Sequence, residues 1–462
     1  MLKDVPTKFS GAKAYEYCKY LAITIGPRLT GTAGEHKAAN YIAKMFRSFG
    51  LKTRLQRFPV TTFEASKCTF QARDGKTWRS YAVEPVGLSK STPLRGVESE
   101  FALLDNADSE YFSGRLRDKI VLLLGTMNMA DLPKLCSFGP KALIFMDSGI
   151  ADEPIRRVFR DYQRTKKGNL PMAHIKHMDA VDIAKRGLTR GRLNLQLTEK
   201  KSYGLNVIGE KVGSDRTDEI AVVCGHYDTS MGIQGASDNA GGTAIMMELA
   251  RVLTAEPTRR TLRFVAFACE ETGLNGSLYY ADDLAKRDKR EKNKATFDPK
   301  LHTTELDRHR LVFNVDVHGA ILGNSGFQYS GVDDVGAAVR LLTKELGVHA
   351  GVSKGPMSSD GSALAAVGVP AVQYARTGGT TRFLHSTRDQ MKFISAEALA
   401  QAGGFSEVFL RRYVIDAAAL AFPRQIPKDQ EEALKAYHWP ELKKTKKKKA
   451  KKRSTARPAR RS

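Results

Sequence analysis

Residues 35–49 place Ala38, Ala39, Ile42, Ala43 and Phe46 at helical spacing, with Lys37, Asn40, Lys44 and Arg47 on the other side. This predicts an amphipathic helix, closed by Gly50. Gly31-Thr32-Ala33-Gly34 reads as the turn before it, and 51–60 as a strand after it. From about 64 to 200 the pattern changes. Short apolar runs, 119–124 and 141–146, stand between charged and turn-rich stretches, which predicts a small β-rich domain. From 205 on, continuous apolar runs at Ile220–Cys224, Leu262–Ala268 and Leu311–Val315 read as strands covered on both faces. A helical pattern with Ala244, Met247, Leu249, Ala250 and Leu253 spans 240–253. Alternating strands and helices predict an α/β fold, a mainly parallel sheet sandwiched between helices.

Composition narrows the class. The chain has 462 residues, of which 42% are hydrophobic, enough for a sizeable core. No apolar run reaches the length of a membrane span. The first residues lack the apolar core of a secretory signal, so the expected location is cytoplasmic. Five scattered cysteines without a CxxC argue against a disulfide scaffold or a cysteine-rich zinc finger. Cys224 and Cys269 are expected as buried small apolar residues, and His174 and His177 as surface residues. The formal charge is +24, but residues 443–462 hold twelve Lys or Arg and no acid. The excess is therefore partly a tail, expected to be disordered and able to contact polyanions weakly.

In sheets of this kind, ligands bind just past the carboxyl ends of the strands. Every predicted strand end here delivers an acid or a histidine. His226 and Asp228 follow the first run, and Asp238 lies directly before the helix. Glu270 and Glu271 follow the second run, Asp316 the third, and His385 lies in a later loop. Buried carboxylates need compensation, and a divalent cation supplies it. Imidazole and carboxylate without thiolate suit zinc, cobalt or manganese. Two histidines and several carboxylates exceed the needs of one ion and match two ions sharing a carboxylate.

These steps, His-x-Asp, Asp-Asn-Ala, Glu-Glu, Asp and a late His, resemble the co-catalytic di-zinc exopeptidase family. That family includes bacterial leucyl aminopeptidase, aminopeptidase Y and glutamate carboxypeptidase. The resemblance spans about 15–63 and 201–420, with Leu205-Asn206-Val207-Ile208-Gly209 as the return into the catalytic sheet. The stretch between resembles the protease-associated (PA) domain that many members insert. The implied organisation is 1–63 as the start of the catalytic domain and 64–200 as the insert. Residues 201–425 then form the metallopeptidase core and 426–462 a basic disordered tail. By resemblance, two Zn2+ ions would be held by His226 and Asp316 on one side and by Glu271 and His385 on the other. Asp238 would bridge them. Glu270 would be the general base, Asp228 the catalytic acid supporting His226, and Asp389 a brace for His385. The bond after Asp238 would be cis. Two departures stand out: Ser359-Asp360-Gly361 lacks the family's histidine, and no tyrosine lies just upstream. Tyr374, His318 and Arg376 are candidate oxyanion donors.

The implied activity is a zinc-dependent aminopeptidase acting on peptide substrates. A carboxypeptidase would share the centre and use Arg376, Arg382 or Arg388 for the substrate carboxylate. The same resemblance leaves room for a glutaminyl cyclase and for an inactive receptor-like scaffold.

Overall fold

A computed structural model describes residues 6–104, 108–124, 127, 131–146, 153–159 and 168–438. Its strands are β1 (Lys52–Asp74), β2 (Thr77–Tyr81), β3 (Val83–Pro85), β4 (Val97–Leu104), β5 (Ile120–Leu124), β6 (Ala142–Met146) and β7 (Met172–Ile175). They continue with β8 (Arg190–Lys211), β9 (Arg216–His226), β10 (Arg260–Phe267), β11 (His309–Asp316), β12 (Asn324–Ser330), β13 (Ala350–Lys354) and β14 (Ala371–Thr377). All pair into one path, β13-β12-β14-β11-β9-β10-β8-β4-β5-β6-β7-β3, with β1 on β8 and β2 on β1.

Part of this path is the mainly parallel sheet expected: β10, β9, β11 and β14 run in one direction. Each apolar run became a strand because both faces are covered. Ala221 and Val223 enter one hydrophobic cluster, and Ile220, Val222 and Cys224 the other. The predicted helix at 35–49 is Ala33–Ser48, and its Phe46 lies over Gly209 of β8. The helix Gly242–Thr254 is buried at every residue but Arg251, between the sheet and the helices Gly11–Lys19 and Ala396–Leu410. Its two charged residues, Glu248 and Arg251, pair with each other, and most of the rest of the helix is apolar.

The β-rich region is organised around a long antiparallel ribbon of β1 and β8. Its inner part joins β10, and its outer part joins β4. The expected boundaries at 63/64 and 200/201 fall opposite each other on this ribbon, where Thr62 pairs with Lys200. Strands β4, β5, β6 and β7 are parallel to one another and carry two hydrophobic clusters of their own.

Two expectations are corrected. His174 is buried, not exposed, because it lies on β7 with its ring stacked on Phe145 at 5.1 Å. The segment expected as tail from 426 contains the helix Lys428–His438. Its Leu434 and Gln430 are buried, and Gln430 exchanges hydrogen bonds with Gly331. Local charge hid this amphipathic packing. The basic stretch 443–462 lies outside the described residues. The five cysteines are free, with Cys224 and Cys269 buried. No described helix is long and apolar enough to cross a membrane.

Candidate metal centre

His226 closes β9 and Asp316 closes β11, so neighbouring parallel strands deliver them side by side. Their atoms Nε2 and Oδ1 are 3.2 Å apart. Asp238 comes from the loop before the helix Gly242–Thr254. Its Oδ1 lies 3.2 Å from His226 Nε2, and its Oδ2 lies 3.2 Å from His385 Nε2. Glu271 Oε2 is 3.1 Å from the same His385 nitrogen. Two ligand groups result, His226–Asp238–Asp316 and Asp238–Glu271–His385, the ligand atoms of each lying within 4.8 Å of one another. Asp238 belongs to both. All five sequence-derived ligands therefore converge. The donor set, imidazole nitrogen and carboxylate oxygen in a buried pocket, fits a divalent cation in each group.

Asp228 is fully buried behind them. Its Oδ1 lies 3.4 Å from His226 Nδ1 and accepts from the Glu270 backbone N–H at 3.0 Å. Its Oδ2 accepts from Glu271 N–H and Thr30 Oγ1, both at 3.3 Å. One carboxylate thus orients the first histidine and the turn that carries both glutamates. Burial, with Asp316, Glu271 and Asp360 close by, pushes the Glu270 carboxyl well above its usual range, while His226 opposes the shift. Burial disfavours charge on His226 and His385, yet the surrounding acids outweigh it and favour positive charge on both rings.

The loop around Asp238 is held from several sides. Asn239 donates to Val315 O at 3.1 Å and accepts from Gly242 N–H and Val317 N–H, each at 3.0 Å. A Cβ at Gly242 would meet Asn239 Oδ1 at 2.2 Å, so the Asn-Ala-Gly-Gly run is a packing requirement. The bond Asp238–Asn239 is cis. Cys269, Val317 and His385 all have positive φ, an unfavourable geometry for side-chain-bearing residues that is concentrated at this site.

Asp389 does not brace His385 as expected. It accepts from Ser237 N–H and Oγ–H at 2.8 Å and from Asp238 N–H at 3.0 Å. The turn Ser386–Asp389 aims its carboxylate at the bridging loop. His385 is instead held from the β-rich region. Arg156 N–H donates to His385 O at 2.7 Å, and its guanidinium bonds Met231 O and Gly232 O at 3.0 Å and Glu84 at 2.7 Å. Glu153 accepts from Thr387 Oγ–H at 2.6 Å.

Sequence reading missed Arg156, and it missed Arg28. Arg28 is fully buried and donates to the carbonyls of Leu21, Gly26, Tyr227, Gln234 and Gly235. It pins the loop after Asp228. Burial lowers its pKa to about 10. Also missed was Ser230, which donates to Glu271 through its N–H at 3.2 Å and its hydroxyl at 3.0 Å. None of these residues carries a local motif.

Of the oxyanion candidates, Tyr374 and His318 are buried against each other, ring centroids 4.3 Å apart. Arg376 follows Ala375, the β14 partner of Asp316. Its Nε is buried without a hydrogen-bond partner among the described residues. Arg382 and Arg388 are exposed.

Residues 206–408 match the sequence profile of Peptidase family M28. Aminopeptidase YwaD of Bacillus subtilis is 27% identical over 410 residues, covering 86% of this chain and 83% of that protein. Human Carboxypeptidase Q is 24% identical, covering 69% of this chain and 67% of its own. The crystal structure of BSAP, a zinc aminopeptidase from Bacillus subtilis, superposes with a TM-score of 0.70 at 25% identity, covering 92% of this chain and all (100%) of that one. With its matched sheet and its converging candidate ligands, the chain is an aminopeptidase-like metallopeptidase, a hydrolase whose residues 206–408 match Peptidase family M28.

Proposed function

We propose that the protein is a two-zinc exopeptidase that releases N-terminal residues from peptides. The observation that carries this is the pair of ligand groups sharing Asp238. His226, Asp238 and Asp316 would hold one ion, and Asp238, Glu271 and His385 the other. Bound there, zinc would polarise the scissile carbonyl and acidify the attacking water. Glu270 ligates in neither group, yet its neighbour Glu271 does, so its carboxyl stands beside the reacting centre. It takes the proton from the attacking water and delivers it to the leaving amine. Asp228 is a positioning residue, acting through His226 and the Glu270–Glu271 turn. Zinc is preferred over cobalt or manganese because BSAP is a zinc aminopeptidase.

A carboxypeptidase is the second reading, favoured by one observation. The buried, unpartnered Nε of Arg376 would suit a substrate carboxylate. Amino-acid p-nitroanilides, their N-blocked forms, and amine-blocked dipeptides with free carboxylates separate the two. Turnover of free-amine substrates alone, abolished by chelator and restored by zinc, is the expected result. Turnover of the amine-blocked dipeptides alone would overturn it in favour of the carboxypeptidase.

A further inference from the structure

At the opposite, amino end of the same strands lies a cavity of about 520 Å³. Arg216 opens β9, Arg260 opens β10, Arg310 is the second residue of β11, and Arg424 comes from the segment after the last sheet helix; all line it. Glu219 is the one acid in that lining.

The five charges are unequally satisfied. Arg260 is buried and anchored: Nε donates to Glu219 at 2.5 Å, and Nη1 donates to Val414 O and Ala417 O at 2.7 and 2.6 Å. Arg424 donates to His309 O at 2.7 Å and Leu306 O at 3.0 Å. Arg216 and Arg310 reach Glu219 at 3.8 and 3.7 Å, beyond hydrogen-bond range. Their side chains stay 43% and 30% exposed, and Arg310 Nε is buried without a partner among the described residues. Burial lowers the Arg424 pKa; Asp307 opposes this, and Arg310 adds to it. Three guanidinium groups thus share one carboxylate, with Arg424 in the same lining, and two forks are left open. Like charges held this close are unfavourable unless an anion joins them.

The remaining wall is apolar. Leu420, Ala421 and Pro423 present its accessible surface, held from behind by Phe422, which is packed at 3% exposure. A fitting ligand joins a multiply charged head to an uncharged body. Guanidinium forks match phosphate oxygens two at a time. We propose that this cavity binds a small organic phosphate, its phosphate held by Arg216 and Arg310 and its body lying on Leu420, Ala421 and Pro423. The metal cluster sits at the other end of the strands, so such a ligand and a peptide would not compete for space.

The test is calorimetric titration of the zinc-loaded, full-length protein with adenosine monophosphate, inorganic phosphate and adenosine. Saturable binding of the monophosphate, weaker binding of phosphate and none of adenosine are expected. Arg216→Ala with Arg310→Ala should weaken the monophosphate about tenfold or more. Hydrolysis of an amino-acid p-nitroanilide should be unchanged, which also verifies folding. Arg216→Glu, at the exposed start of a strand, is the independent variant and should weaken binding at least as much as Arg216→Ala. Deleting 443–462 should leave the affinity as it is. Absence of saturable binding, or equal affinity in the double variant, would overturn the proposal. In the latter case the phosphate sits on the basic tail or the metal cluster.

Discussion

The two ends of the central sheet carry opposite charge and handle it differently. At the carboxyl end, Asp238, Glu271 and Asp316 meet two imidazoles, and nearly every supporting group is fixed. Asp228, Asp389, Ser230 and Asn239 each bond backbone or side-chain groups of the ligand loops. Arg28 there spends its donors on five carbonyls. At the amino end, Arg260 and Arg424 are likewise anchored to carbonyls, but Arg216 and Arg310 are not. The contrast separates two ways of tolerating crowded charge. One end surrounds its acids with oriented donors and the donor set of a cation site. The other leaves donors open. An anchored arginine is structural, and an unanchored one is available to a ligand.

If the carboxyl end performs the chemistry, its base should matter most. Glu270→Gln should retain zinc and lower kcat about a hundredfold to ten-thousandfold. Metal analysis beside steady-state kinetics checks both halves, and unchanged turnover would remove Glu270 as the base. Next in size is the anchored arginine. Arg28→Met leaves five carbonyls without their donor and should cost about 3 kcal/mol or more in urea unfolding. A cost below about 1 kcal/mol would mean that water replaces it readily.

Arg156 tests whether the β-rich region supports the site. Arg156→Ala should weaken zinc retention about tenfold in a chelator competition, with Arg156→Lys recovering part of it. Equal retention in all three proteins would mean that the guanidinium's anchoring to Met231, Gly232 and Glu84 does not support His385. A separate, pH-dependent effect concerns His309, buried near the arginine end between Tyr280, Arg263 and the Glu305 carbonyl. Burial and Arg263 lower its pKa to about 3. Below the ordinary imidazole value the unfolded chain binds the proton and the folded chain does not, so stability falls as pH falls from about 6.5 toward 3. Across that window the wild type should lose about 1.4 kcal/mol per pH unit more than His309→Gln. Parallel pH profiles of the two would place the neutral ring elsewhere.

The five candidate ligand positions were legible because apolar runs end where the strands leave the core. A strand buried on both faces tolerates no acid, so His226, Asp316 and the Glu270–Glu271 pair mark its exit. The largely apolar helix Gly242–Thr254 was legible for a similar reason. Residues 426–438 were not, because their helix depends on docking at Gly331 rather than on composition.

What the sequence determined by itself is periodic or local: the buried strands, the amphipathic helix at Ala33–Ser48, and the chemical type of each ligand. Tertiary structure alone decided the pairings between residues far apart in the chain. Asp389 serves the bridging loop, Arg156 reaches His385, and four arginines meet at one end of the sheet. Such contacts follow from strand order and chain crossing, which hydrophobic periodicity does not encode.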